Sequence, residues 1–217
     1  MAGNKYAKGV AVRIEVGITE GAAKTVSAVS QANPGVASST AHGLAAQSIA
    51  YFDQIEGMDE LQGQAVRFSA VDTDSLTLED LDTTDYTTFV SGKLVPITAW
   101  ATLTQSTEYQ FGGGEPDQLD TSTILQVKKS QETGQLAAET VTINLRALEE
   151  ANAALAYVRA QARKGNAVVF RITLKNGAVR VWRGVPGLPG EGVANSAVGT
   201  SSFTTSVMGN IIYGAAA

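Results

Sequence analysis

The sequence predicts a mainly β fold: a β-sandwich or β-barrel core with one flanking α-helix, plus an inserted small all-β domain. Three observations lead to this class. Apolar residues follow a helical period convincingly in one segment only, residues 147–164. Short segments with β-strand character, separated by glycine-containing turns, occupy much of the remainder. Acidic side chains are concentrated in one part of the chain, which indicates a separate module.

A strand and the helix follow each other directly. Residues 139–145 alternate polar and apolar side chains, the period of a half-buried strand. Glu149 and Glu150 stand in the predicted first turn of the helix, and Gly165 follows its last turn, an order that suits the helix dipole and a glycine stop. The apolar stripe of the helix consists of Leu148, Ala151, Leu155, Val158 and Ala162.

A β-hairpin is predicted over residues 168–183. Asn176-Gly177 between two alternating segments is a strong hairpin signal, because both residues of a two-residue turn take positive φ. This turn sets Leu174 opposite Val179 and Ile172 opposite Val181, so that these four side chains form one core face. The opposite face carries Thr173, Arg180, Arg171 and Trp182, and we expect another part of the chain to cover it.

The sequence of strand, helix, Asn-Gly hairpin and Trp-Arg-Gly resembles the tail tube proteins of long-tailed, lambda-like bacteriophages. The matching segments are residues 170–184, 188–192 and 198–207, and the resemblance extends back through 120–123 and 134–145, with weaker likeness at 9–16. The resemblance implies hexameric rings that stack into a hollow tube, the conduit for DNA ejection. It implies no cofactor and no reaction. Implied partners are further copies of the chain and the tape-measure, tail terminator and distal tail proteins, with DNA crossing the lumen without specific binding. The implied location is the virion tail, after assembly in the host cytoplasm.

Residues 27–95 carry ten acidic and two basic side chains, a net charge of −8, whereas the other 148 residues have a net charge of +3. This segment is similar to a small β module that recurs in phage virion proteins. We therefore expect a tail tube core of residues 1–26 and 96–217, interrupted by an acidic β module of residues 27–95. Six such modules would block a channel, so we expect them outside the tube.

Residues 111–134 are predicted to form a long loop that joins one ring to the next. The segment is long for an idle connection and carries apolar side chains that a pure linker lacks. In the tail tube family, which the chain resembles, the corresponding segment reaches an adjacent ring. The alternative is a hairpin extension within the same subunit. The expected apolar anchors are Phe111, Leu119, Ile124, Leu125 and Val127.

Few residues suggest chemistry. The chain has no cysteine, which excludes disulfides and thiolate sites. His42 is the single histidine and lies in a predicted turn, so we expect local bonding rather than a catalytic base. The acidic run at 72–82 lacks the glycine and terminal glutamate of a calcium loop, and Gly112–Glu115 lacks the lysine of a phosphate loop. We expect no enzyme, no metal site, no secretory signal and no membrane segment.

Two other functions remain open from the sequence. One is the tube protein of a type VI secretion or contractile injection machine, although a sheath would have to fit around the inserted modules. The other is a virion adhesin or decoration protein that binds a cell-surface glycan. Basic residues near the hairpin, Arg171, Lys175, Arg180 and Arg183, could suggest nucleic-acid binding, but the acidic pI of about 4.9 disfavours it.

Overall fold

A computed structural model describes residues 12–122, 125, 127–147 and 152–216. Within these ranges the fold is mainly β, as predicted, with one α-helix. The first strands are β1 (Arg13–Glu20), β2 (Lys24–Val26), β3 (Ala28–Val29), β4 (Val36–Ser38), β5 (Ile49–Glu56), β6 (Ala65–Val71), β7 (Ser75–Leu78) and β8 (Ser91–Thr102). The remaining elements are β9 (Ser106–Gly112), β10 (Pro116–Asp120), β11 (Gln131–Leu136), β12 (Thr140–Arg146), α1 (Ala153–Lys164), β13 (Val168–Thr173), β14 (Val179–Pro186), β15 (Gly190–Gly192) and β16 (Thr200–Gly214).

One large sheet contains most strands in the order β3-β4-β7-β6-β5-β8-β1-β13-β14-β16-β12-β9. All of its strands from the first half of the chain, β1 to β8, lie on one side of the β1–β13 pair. All of those from the second half lie on the other side. The pairing of β1 with β13, which sets Arg13 opposite Thr173, is therefore the boundary between the two halves of the chain in the sheet. We call this boundary the seam.

Strand β8 crosses the boundary predicted at residues 95 and 96. Its first residues pair β2 and β5, with Leu94 opposite both Lys24 and Phe52. Its last residues pair β1, with Thr102 opposite Glu15. The sheet thus continues through the expected domain junction without a linker. The twelve consecutive residues of β8 pair with strands on both sides of that junction. The division into core and inserted module remains a proposal about how the chain is organised.

Two apolar cores lie in the molecule, and the second half of the sheet contributes to both. One core contains α1 together with Phe170, Ile172 and Trp182. The other contains the apolar residues of the first half together with Val169, Val179, Val181 and Ile212. Both faces of the hairpin are therefore covered. The first half of the chain covers the face with Val169, Val179 and Val181, whereas Trp182, predicted on that face, lies in the core with α1.

The hairpin of β13 and β14 is present, but its register differs by one residue from the prediction. Thr173 pairs with Val179 and Arg171 with Val181. Leu174 N donates to Ala178 O, which leaves a three-residue loop in which Gly177 alone has positive φ, +84°. Because side chains alternate, this shift places Ile172 and Leu174 on one face and Val179 and Val181 on the other. The predicted single core face of these four residues is wrong.

Helix α1 is bounded by caps at both ends. Asn152 Oδ1 accepts a hydrogen bond from Ala154 N at 2.8 Å. Gly165 closes the other end in the left-handed conformation, as the sequence predicts. Ala154, Leu155 and Val158 face the core. The predicted first turn, with Leu148, Glu149, Glu150 and Ala151, lies outside the described residues.

Side chains of the first half also hold the last strand. Gln64, which is buried, accepts from Asn210 N and donates to Asn210 O at 3.0 Å, filling a bulge in β16 at Gly209. Arg67 is paired with Glu79, and both bond to the backbone of Ala215. The two halves are therefore joined by hydrogen bonds as well as by a shared core.

Candidate assembly surfaces

Strands β10 and β11 form a two-stranded sheet of their own, separate from the large sheet. Leu119 pairs with Glu132 and Asp120 with Gln131. Gly113 and Gly114, both with positive φ, turn the chain out of β9 into this ribbon. We call residues 113–139 the arm. The segment expected to be a loop thus contains a hairpin, which is the alternative form considered from the sequence.

The tip of the arm leaves apolar side chains in solvent. Leu119 is 56% exposed, Leu125 94% and Val127 102%. Beside them, Asp120 accepts a hydrogen bond from Ser122 N and lies 3.7 Å from Lys129. Bonds from Ser122 hold the pKa of the Asp120 carboxyl below its usual range. Ile124 lies outside the described residues. Apolar side chains on an ordered ribbon are suited to contact another molecule.

Phe111 does not belong to the arm. It lies in β9 opposite Val141, and its ring meets the Trp182 ring edge to face at 5.9 Å. Trp182 itself is fully buried and stacks on Phe170 at 5.3 Å. The predicted anchor role of Phe111 is therefore corrected: its half-buried ring packs against the core that contains Trp182. Successive side chains of β9 point to opposite faces of the sheet. A residue near the end of β9 can therefore face the core even though the residues after it leave the sheet.

The arginines of the hairpin stack on other aromatic rings instead of on Trp182. Arg171 lies 4.3 Å from the Trp100 ring centre, Arg180 4.5 Å from that of Tyr213 and Arg183 4.1 Å from that of Tyr51. Arg171 also contacts Glu15 at 2.7 Å. These three positive groups are engaged within the subunit by contacts with aromatic rings.

A second apolar surface, which the sequence analysis missed, surrounds the connection between β14 and β16. Leu188, Val193 and Val198 are all more than half exposed. Strand β15 lies between Leu188 and Val193 in the sequence and, among the described residues, pairs only with β16. Arg159 of α1 fixes β15 by contacting Glu191 at 3.2 Å. Three apolar residues in a glycine-rich connection were the signal available in the sequence.

A cavity of about 480 Å³ adjoins β15, between the ends of β9, β12 and β16. Leu145, Glu191 and Ser201 are among its lining residues. Ser201 is only 4% exposed, and its Oγ has no hydrogen-bond partner. A buried hydroxyl without a partner is uncommon in a folded protein, because its desolvation is uncompensated. We call this cavity the socket.

The residues considered for chemistry have structural contacts. His42 is buried, accepts from Leu44 N at its Nδ1 and donates from its Nε2 to Asp72 O. Asp74 and Asp80 accept from the backbone N–H groups of Ala41 and Tyr213. Within the described residues, no group of three or more histidine or acidic side chains is arranged to hold a metal. None of the described helices is long and apolar enough to cross a membrane.

Comparison with known families decides the identity of the chain. The family model of the phage tail tube protein, TTP, matches residues 56–215. The chain belongs to the phage tail tube protein family. It is therefore a structural component of the phage tail. No curated protein matches the chain.

The matched region of this tail tube protein contains both assembly surfaces. It begins at the end of β5, within the acidic segment, and ends just after β16. The arm, the socket and Gln64, which holds β16, all fall inside it. The family match thus includes parts of both halves of the large sheet.

Proposed function

We propose that this tail tube protein forms hexameric rings that stack into the hollow tail tube and conduct DNA during ejection. The observation that carries the proposal is the arm, a two-stranded ribbon in which Leu119, Leu125 and Val127 are exposed to solvent. Burial of each such side chain at a contact stabilises an assembly by about 1.5–3 kcal/mol before the cost of ordering. A free subunit gains nothing from exposing them.

Ring closure is supported by the ends of the large sheet. Within the part of the chain that the structure describes, strand β9 pairs β12 on one side only, and β3 pairs β4 on one side only. Unpaired edges invite pairing with another chain, and closed symmetry satisfies them without open-ended growth in the plane of the ring. In this proposal neighbouring subunits pair at such an edge, and the arm joins successive rings.

The conduit acts by geometry and charge. A wall of acidic and neutral groups repels a polyanion, so that DNA passes without adhering. The acidic segment 27–95 faces outward, where solvent and salt screen its net charge of −8. The tape-measure, tail terminator and distal tail proteins are the further partners, and assembly takes place in the host cytoplasm.

Negative-stain microscopy of the concentrated protein tests this function. We expect hollow stacked rings with six subunits in end-on views. Chains with Leu125→Ser and Val127→Ser are expected to keep the melting temperature of the wild type, because both side chains are solvent-exposed, but to lose stacked tubes. Val90→Ser, at an exposed site just before β8, is the matched control and keeps tubes.

Other outcomes would favour the other functions. Discrete particles that bind an immobilised glycan, with no tubes at any concentration, would indicate an adhesin. A sheath gene adjacent to this gene would indicate a contractile machine. Full-length tubes from the Leu125→Ser, Val127→Ser chain would show that the arm does not join the rings.

A further inference from the structure

We propose that a pocket at the seam binds a phosphate-type oxyanion, either inorganic phosphate or the phosphate group of a small organic molecule. The pocket has a volume of about 330 Å³, at the lower end of the range for small-ligand sites. Strands β1 and β13 contribute one part of its lining, and residues from β5, β6 and the segment before β5 contribute another. Binding at this pocket does not depend on how subunits assemble.

Two opposed residue pairs of the seam line the pocket. Arg13 lies opposite Thr173, and Glu15 lies opposite Arg171. The Glu15 carboxylate is shared, since Arg13 lies 3.7 Å from its Oε1 and Arg171 lies 2.7 Å from its Oε2. Glu15 is nearly buried, with 8% of its side chain exposed. The shared carboxylate therefore holds two guanidinium groups close together at the pocket.

Arg67 of β6 brings a third guanidinium group, and this one is buried. Its side chain is 5% exposed and lines the pocket. Its Nη1 contacts Glu79 and donates to Ala215 O, whereas its Nε and Nη2 make no hydrogen bond within the described part of the chain. A buried cation whose donors lack acceptors is costly. An anion in the pocket would accept hydrogen bonds from these two nitrogens.

The local charge selects an anion. Three arginines line the pocket, and the carboxylates that contact them belong to Glu15 and Glu79, so three positive and two negative charges leave +1. This positive site contrasts with the net charge of −5 for the whole chain. Arg67 is one of only two basic residues in the acidic segment 27–95, and it is placed at this pocket.

A phosphate-type anion suits the pocket better than a carboxylate does. Planar guanidinium groups bind both kinds of anion through paired, charge-assisted hydrogen bonds. A carboxylate offers two oxygens, whereas a phosphate offers more and can contact several arginines at once. Gln47 and Thr173 also line the pocket, and neither side chain is hydrogen-bonded to another described residue, so both can donate to the same anion.

Calorimetric titration with sodium phosphate at pH 7, with sodium chloride holding the ionic strength constant, tests the site. We expect saturable binding of one phosphate per chain in the wild type. Arg13→Gln should weaken this binding about tenfold, because one charged hydrogen-bond donor is lost. The variant should still fold, since the Arg13 side chain is 65% exposed. Arg163→Gln, at an exposed position in the last turn of α1 and outside the pocket, is the matched control and should bind like the wild type.

Thermal melts separate a specific site from the general effect of phosphate salts. Phosphate ions stabilise folded proteins because they are excluded from the protein surface, and that effect should be the same in all three chains. A specific site adds a rise in melting temperature that saturates, that Arg163→Gln keeps and that Arg13→Gln largely loses. Equal, unsaturated rises in all three chains, or the absence of calorimetric binding, would overturn the proposal.

A second probe, adenosine monophosphate, identifies the source of the phosphate. Tighter binding of this probe than of inorganic phosphate would mean that the pocket takes a phosphate carried by an organic group. Equal or weaker binding would mean that the free ion is the ligand. In both cases Arg13→Gln must weaken the binding. Binding of either probe that is unchanged in Arg13→Gln would lie outside the pocket and would overturn the assignment.

Discussion

At the scale of single residues, a few positions require a backbone conformation that only some residues adopt readily. Gly177 is such a position, because its φ of +84° lies in the left-handed region that side chains with a Cβ rarely adopt. Asn176 supports the same turn by accepting a hydrogen bond from Ala178 N at 3.1 Å. The turn joins two strands that contribute to both cores.

Gly177→Val should therefore destabilise the subunit by about 1–3 kcal/mol, since a β-branched residue is strained at positive φ. Asn176→Ala removes one exposed hydrogen bond and should cost about 1 kcal/mol or less. Urea unfolding of both variants measures the difference. Equal stability of Gly177→Val and wild type would contradict the turn described here.

Tyr51 makes stability depend on alkaline pH. Burial, and then its hydrogen bond to Glu20 at 2.8 Å, raise the pKa of the Tyr51 hydroxyl above its usual range. The folded state thus holds this proton more tightly than the unfolded chain, in which tyrosine has a pKa of about 10. The stabilisation from the protonated Tyr51 hydroxyl is fully present below about pH 10. It is lost as the pH rises above that value.

Tyr51→Phe should accordingly flatten the pH dependence. Between about pH 9 and 11 the free energy of unfolding should fall less steeply in the variant than in the wild type. At pH 7 the variant should be less stable by about 1 kcal/mol, because it lacks the hydrogen bond to Glu20. Denaturant titrations across this range compare the two slopes. Parallel slopes would mean that the Tyr51 proton does not contribute.

At the scale of elements, the end of β16 depends on charged side chains from the first half. Arg67 and Glu79 are nearly buried, with side chains 5% and 12% exposed, and contact each other directly. Arg67 also donates to Ala215 O at 3.1 Å. Removal of one partner leaves the other charge in an apolar setting, which costs more than the pair contributes by itself.

Arg67→Met should lower the stability of the subunit by about 3–5 kcal/mol. Arg13→Met is the matched control. Arg13 is 65% exposed and lies 3.7 Å from Glu15, so its loss should cost less than about 1 kcal/mol. The measurement is unfolding by urea at pH 7. A similar, small loss in both variants would show that the Arg67–Glu79 pair does not hold β16.

Elements with strong short-range sequence patterns were predictable, whereas the strands and side chains that they contact were not. The helix end at Gly165 and the hairpin around Asn176 follow from short-range patterns. The register of that hairpin was missed by one residue, because Asn-Gly also suits a three-residue loop in which only the glycine has positive φ. The socket could not be predicted, since β9, β12, β15 and β16 contribute to it from distant parts of the sequence.

At the scale of the whole molecule, the two halves of the sheet protect each other. Val169, Val179, Val181 and Ile212 are buried in a core that the first half supplies. The segment 27–95 can lie outside the tube and still be needed for the fold. The difference in net charge that suggested a separate module comes from surface residues. Whether residues 27–95 can be removed depends instead on the apolar contacts between the two halves of the sheet.

Replacement of residues 27–95 by a Gly-Ser linker should prevent folding. Exposure of those four side chains costs about 1.5–3 kcal/mol each, which together approaches the entire stability of a typical domain. Soluble yield and circular dichroism test this. Replacement of residues 121–130 by two glycines is the control and should leave the subunit folded. A soluble variant with a cooperative melt after removal of 27–95 would establish an independent module.

The seam between β1 and β13 affects how the chain folds during synthesis. Strands β1 to β8 lie within residues 13–102, so the first half of the sheet can form before β13, which ends at Thr173, has been made. At about 5–20 residues per second, the outer edge of β1 waits several seconds for its partner. During that interval a second nascent chain can supply its own β13 instead. Domain swapping between subunits on neighbouring ribosomes would therefore begin at β1.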